Sequence, residues 1–166
     1  RMADDLVNAG FDVIGLANNH MLDKGDDGLR FTRDYIAERA EAVIGYDRDS
    51  IAVVERKGIK LAFVQMTYST NCDGQSDIPR LSFSLCERLI KRAKEKADAV
   101  IVCVHFGDEF DSGRAMSVFP TSEKQEEYAR YIADCGADVI IGTHPHVLQR
   151  TEWIERSDGG RTLCVY

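Results

Sequence analysis

All four histidines of the chain stand just beyond short apolar runs. Asp12-Val-Ile-Gly-Leu-Ala17 leads into Asn18-Asn19-His20, and Asp98-Ala-Val-Ile-Val-Cys-Val104 leads into His105-Phe-Gly-Asp108-Glu109. The third run, Asp138-Val-Ile-Ile141, leads into Gly142-Thr-His144-Pro-His146. Imidazoles with carboxylates and carboxamides beside them are the donor set of divalent transition metals. A His or Glu in the same place can also move protons. The i, i+2 spacing of His144 and His146 predicts two rings on one side of an extended chain, stiffened by Pro145. Gly142 is expected to let the backbone turn out of its strand. Asn18 and Asp108 are placed to touch a substrate, and Glu109 to orient a His or bind a substrate amine. Singly, each has a plainer reading: a loop histidine is commonly solvated, and Asp108-Glu109 also reads as an exposed acidic turn. Their shared position is what points to one site.

The runs themselves are continuous and rich in β-branched residues, the pattern of strands covered on both faces in a parallel sheet. Helical patterns precede each. Ala3, Leu6 and Val7 come before Gly10, a left-handed stop. Ser84-x-x-Glu87 reads as a capping box ahead of Leu85, Leu89, Ile90 and Ala93, and Ser122-x-x-Gln125 as another ahead of Tyr128, Ile132 and Cys135. A further helix is expected over about residues 27–39, with Asp23 and Asp26 building the turn into it. Helix then strand, repeated, predicts right-handed crossovers in an α/β fold. The carboxyl ends of such strands form the edge where ligands bind, so the four histidines should gather there. Two hairpins are expected, Ile51–Arg56 with Ile59–Thr67, and Gln149–Glu155 with Thr162–Tyr166. The stretch Tyr68–Ser82 is long for a connector, which marks it as a functional or mobile loop.

A length of 166 residues fits one domain. Because Arg1 begins beside a helix and Tyr166 ends inside a strand, residues 1–166 are expected to be an internal piece of a larger domain. The net charge of −7, with no basic run, argues against nucleic-acid binding. No apolar run reaches the roughly 18–20 residues that span a bilayer. The five cysteines are odd in number, widely spaced and free of any CxxC pair, so they read as small core hydrophobes rather than disulfides or zinc ligands. The Lys91–Lys96 charge run reads as a solvated helix face.

Three motifs carry a resemblance to a known family. Gly10-Phe-Asp-Val-Ile-Gly-Leu-Ala-Asn-Asn-His20, with Asp23, Gly25 and Gly28 following, resembles a signature of the CapA proteins of bacterial capsule and poly-γ-glutamate biosynthesis. His105-Phe-Gly-Asp-Glu-Phe110 and Gly136-Ala-Asp-Val-Ile-Ile-Gly-Thr-His-Pro-His-Val-Leu-Gln149 are similar to two further segments of it, in the same order. The resemblance implies an α/β fold of the calcineurin-like metallophosphoesterase kind, a sandwich of mixed β-sheets flanked by helices. It places that superfamily's Asp-bearing strands before Arg1. It further implies a divalent metal (Mn, Fe or Zn) held by Asn19, His105, His144 and His146, with His20 as the catalytic acid. The implied activity is metal-dependent hydrolysis or transfer on a phosphorylated or γ-glutamyl substrate. The alternative is a non-catalytic accessory protein that binds the polymer or its synthase complex. Implied partners are an anionic polymer or its precursor and a membrane synthase complex, and the implied location is membrane-associated and extracytoplasmic.

Overall fold

Strands buried on both faces need a covering layer on each side, and two helices supply one of them. A computed structural model describes residues 2–111, 114–117 and 119–166. In chain order the elements are α1 (Met2–Asn8), β1 (Val13–Gly15), α2 (Gly25–Ala37), β2 (Ala42–Ile44), β3 (Ala52–Arg56), β4 (Ile59–Thr67) and α3 (Phe83–Lys94). They continue with β5 (Ala99–His105), β6 (Phe110–Asp111), β7 (Arg114–Ser117), α4 (Glu123–Asp134), β8 (Val139–Thr143), β9 (Thr151–Glu155) and β10 (Arg161–Val165). A six-stranded sheet runs in the order β3-β4-β5-β8-β10-β9. Its inner pairs are parallel, and an antiparallel hairpin closes each edge, as the two hairpin patterns predict. β1 and β2 form a separate two-stranded parallel sheet, so His20 leaves a different sheet from the other histidines.

One face of the large sheet lies under α3 and α4. Val64, Met66, Val100, Val102, Val104 and Ile140 meet Leu85, Leu89, Ile90, Ala129 and Ile132 there, all buried. Each such aliphatic side chain contributes about 1.5–3 kcal/mol relative to exposure. The other face is covered in part by β1 and β2. Gln65 of β4 accepts a hydrogen bond from Ala17 N at 3.0 Å. A Cβ at Gly15 or Gly45 would lie 2.4 Å from that same Gln65 oxygen, and at Gly45, where φ is +72°, it would also come within 2.9 Å of the Ala17 backbone nitrogen. Further along this face Ile141, Val165 and Trp153 are exposed.

The helix starts divide into one expectation met and one corrected. At Ser122 both halves of the capping box form: Gln125 N donates to Ser122 Oγ at 3.3 Å and Ser122 N to Gln125 Oε1 at 3.0 Å. The box at Ser84 does not form, because Phe83 is already helical and Ser82, in extended conformation, is the cap. Ser82 Oγ accepts from Leu85 N at 3.3 Å. Gly10 and Gly136 take positive φ, +95° and +100°, as helix stops.

Gly142 has a role other than the one its sequence context suggests. It remains in β8, and an added Cβ would lie 2.8 Å from the Tyr166 carbonyl carbon and 2.9 Å from the Phe106 ring. The residue is glycine because two neighbours press on it, not because the chain turns there. Gly142→Ala should therefore destabilise the fold by about 1–3 kcal/mol through overpacking, read from urea unfolding midpoints. An unchanged midpoint would show that the contact relaxes freely.

Candidate functional site

The parallel register of β5 with β8 sets His105 opposite Thr143. The Thr143 hydroxyl lies 2.9 Å from His105 Nδ1, and His105 Nε2 lies 2.9 Å from Asn19 Oδ1. With the ring neutral, Thr143 donates to Nδ1 and the Nε2–H donates to the Asn19 carbonyl oxygen, so both nitrogens of His105 are satisfied. Asn19 is buried, and its amide donates to Asn71 Oδ1 at 3.3 Å. Asn71 also donates its backbone N–H to Asn19 O at 2.7 Å. His20, exposed, places Nδ1 2.7 Å from Asp23 Oδ2, which leaves Nε2 facing outward. Asn18 holds this turn: its Oδ1 accepts from His20 N at 2.8 Å and its Nδ2 donates to Leu16 O at 3.1 Å.

His144 sits against His105, ring centroids 4.7 Å apart. Its Nε2 is 3.0 Å from the Tyr68 hydroxyl. Its Nδ1 is buried, has no hydrogen-bond partner and lies 3.8 Å from Glu109 Oε1. The same Glu109 oxygen is 3.5 Å from His146 Nε2. The backbone here is not extended as expected: φ is +112° at His144 and +58° at His146, on either side of Pro145. Two reversals bring both rings to Glu109, where an extended chain would have done so by alternation alone. Residues held in such sparse φ regions cost on the order of 1–3 kcal/mol each and persist where the surroundings over-determine them.

Burial holds both inner imidazoles neutral. It lowers His105 to about 4, with the nearby His144, His146 and His20 adding to the effect. It lowers His144 also, although Glu109 and Asp108 oppose the shift.

Of the residues singled out from sequence, Asn19, His20, His105, His144, His146 and Glu109 come together at this edge. Asn18 supports His20 through the backbone. Asp108 is exposed and lines the cleft beside the start of α4, near enough for its charge to act on His144. Three partners carried no sequence signal for this place: Tyr68 and Asn71 in the long loop, and Asp23, which reads as a turn residue. The donor types suit a single ion of borderline softness, and the orphaned His144 Nδ1 is a buried lone pair or proton awaiting a partner. Yet among the described residues no three His, Cys, Asp or Glu side chains are already gathered to hold a metal. The His105–Asn19 hydrogen bond stands where those two donors would share an ion.

The fold, a six-stranded mixed sheet flanked by helices, has counterparts among solved structures. A protein of Thermus thermophilus matches with a TM-score of 0.59 at 23% identity, covering 96% of this chain and 54% of that one. A Staphylococcus aureus protein described as a putative 5′-nucleotidase, solved in complex with α-ketoglutarate, matches with a TM-score of 0.59 at 20% identity, over 99% of this chain and 33% of that one. At such identities the likeness concerns the fold alone. Family membership is more specific: residues 1–166 match the family of bacterial capsule synthesis proteins, PGA_cap, and the chain belongs to it. The capsule biosynthesis protein CapA of Bacillus anthracis is 33% identical over 158 residues, spanning 85% of this chain and 36% of that protein. The PGA biosynthesis protein CapA of Bacillus subtilis strain 168 is 28% identical over 159 residues, spanning 89% of this chain and 40% of that protein. The chain thus spans well under half the length of these relatives.

The neutral state of His105 is directly testable. Its folded pKa lies below the unfolded value of about 6.5, so the unfolded chain takes up the proton first as pH falls. The stability this adds is complete above pH about 6.5 and is lost as pH drops toward 4. In chelator-treated protein, wild type should lose unfolding free energy relative to His105→Asn across that window and run parallel to it above. An imidazole resonance of His105 that titrates at the ordinary value would contradict the assignment.

Proposed function

We propose that the chain carries the reacting centre of a capsule biosynthesis protein, a metallophosphoesterase-like site for hydrolysis or transfer at a phosphorylated or γ-glutamyl precursor of an anionic polymer. The observation that carries this reading is the orphaned, buried His144 Nδ1 inside a cluster formed by every histidine of the chain. In this reading His105, His144, His146 and Asn19 hold one divalent ion, Mn, Fe or Zn. When bound, such an ion supplies Lewis acidity and a nucleophilic hydroxide near neutral pH. Glu109 orients His144 and His146. His20 acts as the catalytic acid: Asp23 fixes Nδ1 at 2.7 Å and leaves the outward Nε2 to give a proton to the leaving group. Asn71, bonded to Asn19, lies beside that acid, its Nδ2 3.3 Å from His20 Nδ1.

A second reading has its own support. The inner donors are already hydrogen-bonded to one another, His105 to Asn19 and His144 to Tyr68. A site so satisfied also suits an accessory protein that binds the polymer or its synthase complex without turnover.

Elemental analysis separates the two. Zn, Mn or Fe should copurify with the protein at about one equivalent and fall to background in His144→Ala/His146→Ala, and adding the ion should raise the melting temperature of the wild type alone. Hydrolysis of a generic phosphodiester should disappear with the metal and with His20→Ala. Equal metal content in wild type and double mutant would discard the metal site and favour the accessory role.

A further inference from the structure

Between the start of α4 and the residues that follow β5 lies a cleft of about 410 Å³. It adjoins the histidine cluster through Tyr68, whose ring forms one wall and whose hydroxyl meets His144 Nε2. Its volume falls within the roughly 300–1,000 Å³ of small-molecule sites. The walls are apolar and held in place. Phe106 is buried, Leu81 is half-buried, and Tyr128 is backed by Phe83 with ring centroids 4.7 Å apart.

Most polar side chains lining the cleft are already committed. Tyr68 meets His144. Ser122 and Gln125 cap the helix reciprocally, and Gln125 Nε2 donates to Gln149 Oε1 at 2.9 Å. The charged groups that remain are Asp108 and Lys124. Both are exposed, and among the described residues neither has a hydrogen-bond or ion-pair partner. One anion and one cation over a short apolar floor match a ligand that carries an ammonium and a carboxylate on one small carbon frame. A plain polyanion or a phosphate would meet repulsion from Asp108, and a hydrophobic ligand would leave both charges unanswered.

We propose that this cleft binds an amino-acid end group, its ammonium at Asp108 and its carboxylate at Lys124, and so presents the adjoining bond to the histidines. The assignment rests on the reading of the histidine cluster as the reacting centre for its purpose, but not for what it binds. It names the free amino end of a γ-linked chain as the substrate's recognised part, because there both charges sit on one carbon.

The experiment titrates γ-glutamylglutamate into the isotope-labelled protein and follows backbone amide resonances. Shifts are expected at Asp108, Lys124 and Tyr128. Acetylation of the dipeptide's amine should weaken binding about tenfold or more, as should Asp108→Asn and Lys124→Gln, since each removes one charge-assisted hydrogen bond. Both variants are at exposed positions and should keep the wild-type circular dichroism and metal content. An absence of shifts at these amides up to about 10 mM dipeptide, or equal affinity for the acetylated form, overturns the proposal. The titration and the metal measurement fail separately: a metal-free protein that binds the dipeptide with the stated dependence keeps the cleft, and a metal-loaded protein that does not bind it loses the cleft alone.

Discussion

The parallel pairing of β5 with β8 is the constraint from which the rest of the site follows. Their register makes His105 and Thr143 neighbours, so both strands end at the same level. The polar residues after each strand are delivered to one place without any long connection. A slip of one residue would send His105 to the helix-covered face, where Val104 and Val102 are packed against α3 and α4. That face is dense and apolar, and it rejects the slip. The core under the helices thus fixes where the imidazoles emerge.

What emerges includes a pair of neutral rings, His105 and His144, in a partly dry setting. Desolvation disfavours the imidazolium at His105 and His144, and the rings would repel one another if charged. Neutral imidazole is the form that accepts protons and the form that ligates. The hydrogen bonds from Thr143 and to Asn19 select the tautomer of His105, and Tyr68 engages one nitrogen of His144. Glu109, facing both His144 and His146, is the one carboxylate set between two rings among the described residues, and it partly offsets the effect of burial on His144.

Much of this was legible in the sequence because it depends on local chemistry. Continuous apolar runs marked β5 and β8, and the Ser122–Gln125 pair marked the start of α4. Gly10 and Gly136 marked helix ends. The convergence of His105, His144 and His146 followed from strand ends meeting at one sheet edge, whereas His20 arrives from the separate β1–β2 sheet. What was not legible depends on contacts distant in sequence. The cap at Ser82 rather than Ser84 is decided by where the chain leaves the bridge to β4. The reason for glycine at 142 lies in Tyr166 and Phe106. The positive φ values at His144 and His146 are imposed by the pocket they enter, and the three-residue β2 is too short for any periodicity. Tyr68 and Asn71 lie in a loop with no repeating pattern, so only tertiary structure could show which of its residues turn inward.

That loop is tied at several points. Tyr68 N bonds His105 O, Leu81 N bonds Thr67 O, and Asn71 N bonds Asn19 O. Further along, Asp26 in the first turn of α2 accepts from the backbone N–H groups of Gln75 and Ser76, bonds that hold its carboxyl below the usual range. Gly74 lies against the same carboxylate, where a Cβ would come within 2.9 Å of it. Between Asn71 and Gly74 stand only Cys72 and Asp73, both exposed, at the rim beside His20. Residues inserted at this spot would lengthen the rim while Asn71 and Gly74 on either side keep their ties to Asn19 and Asp26. The rim beside His20 is thus separable from the hydrogen-bonded groups below it.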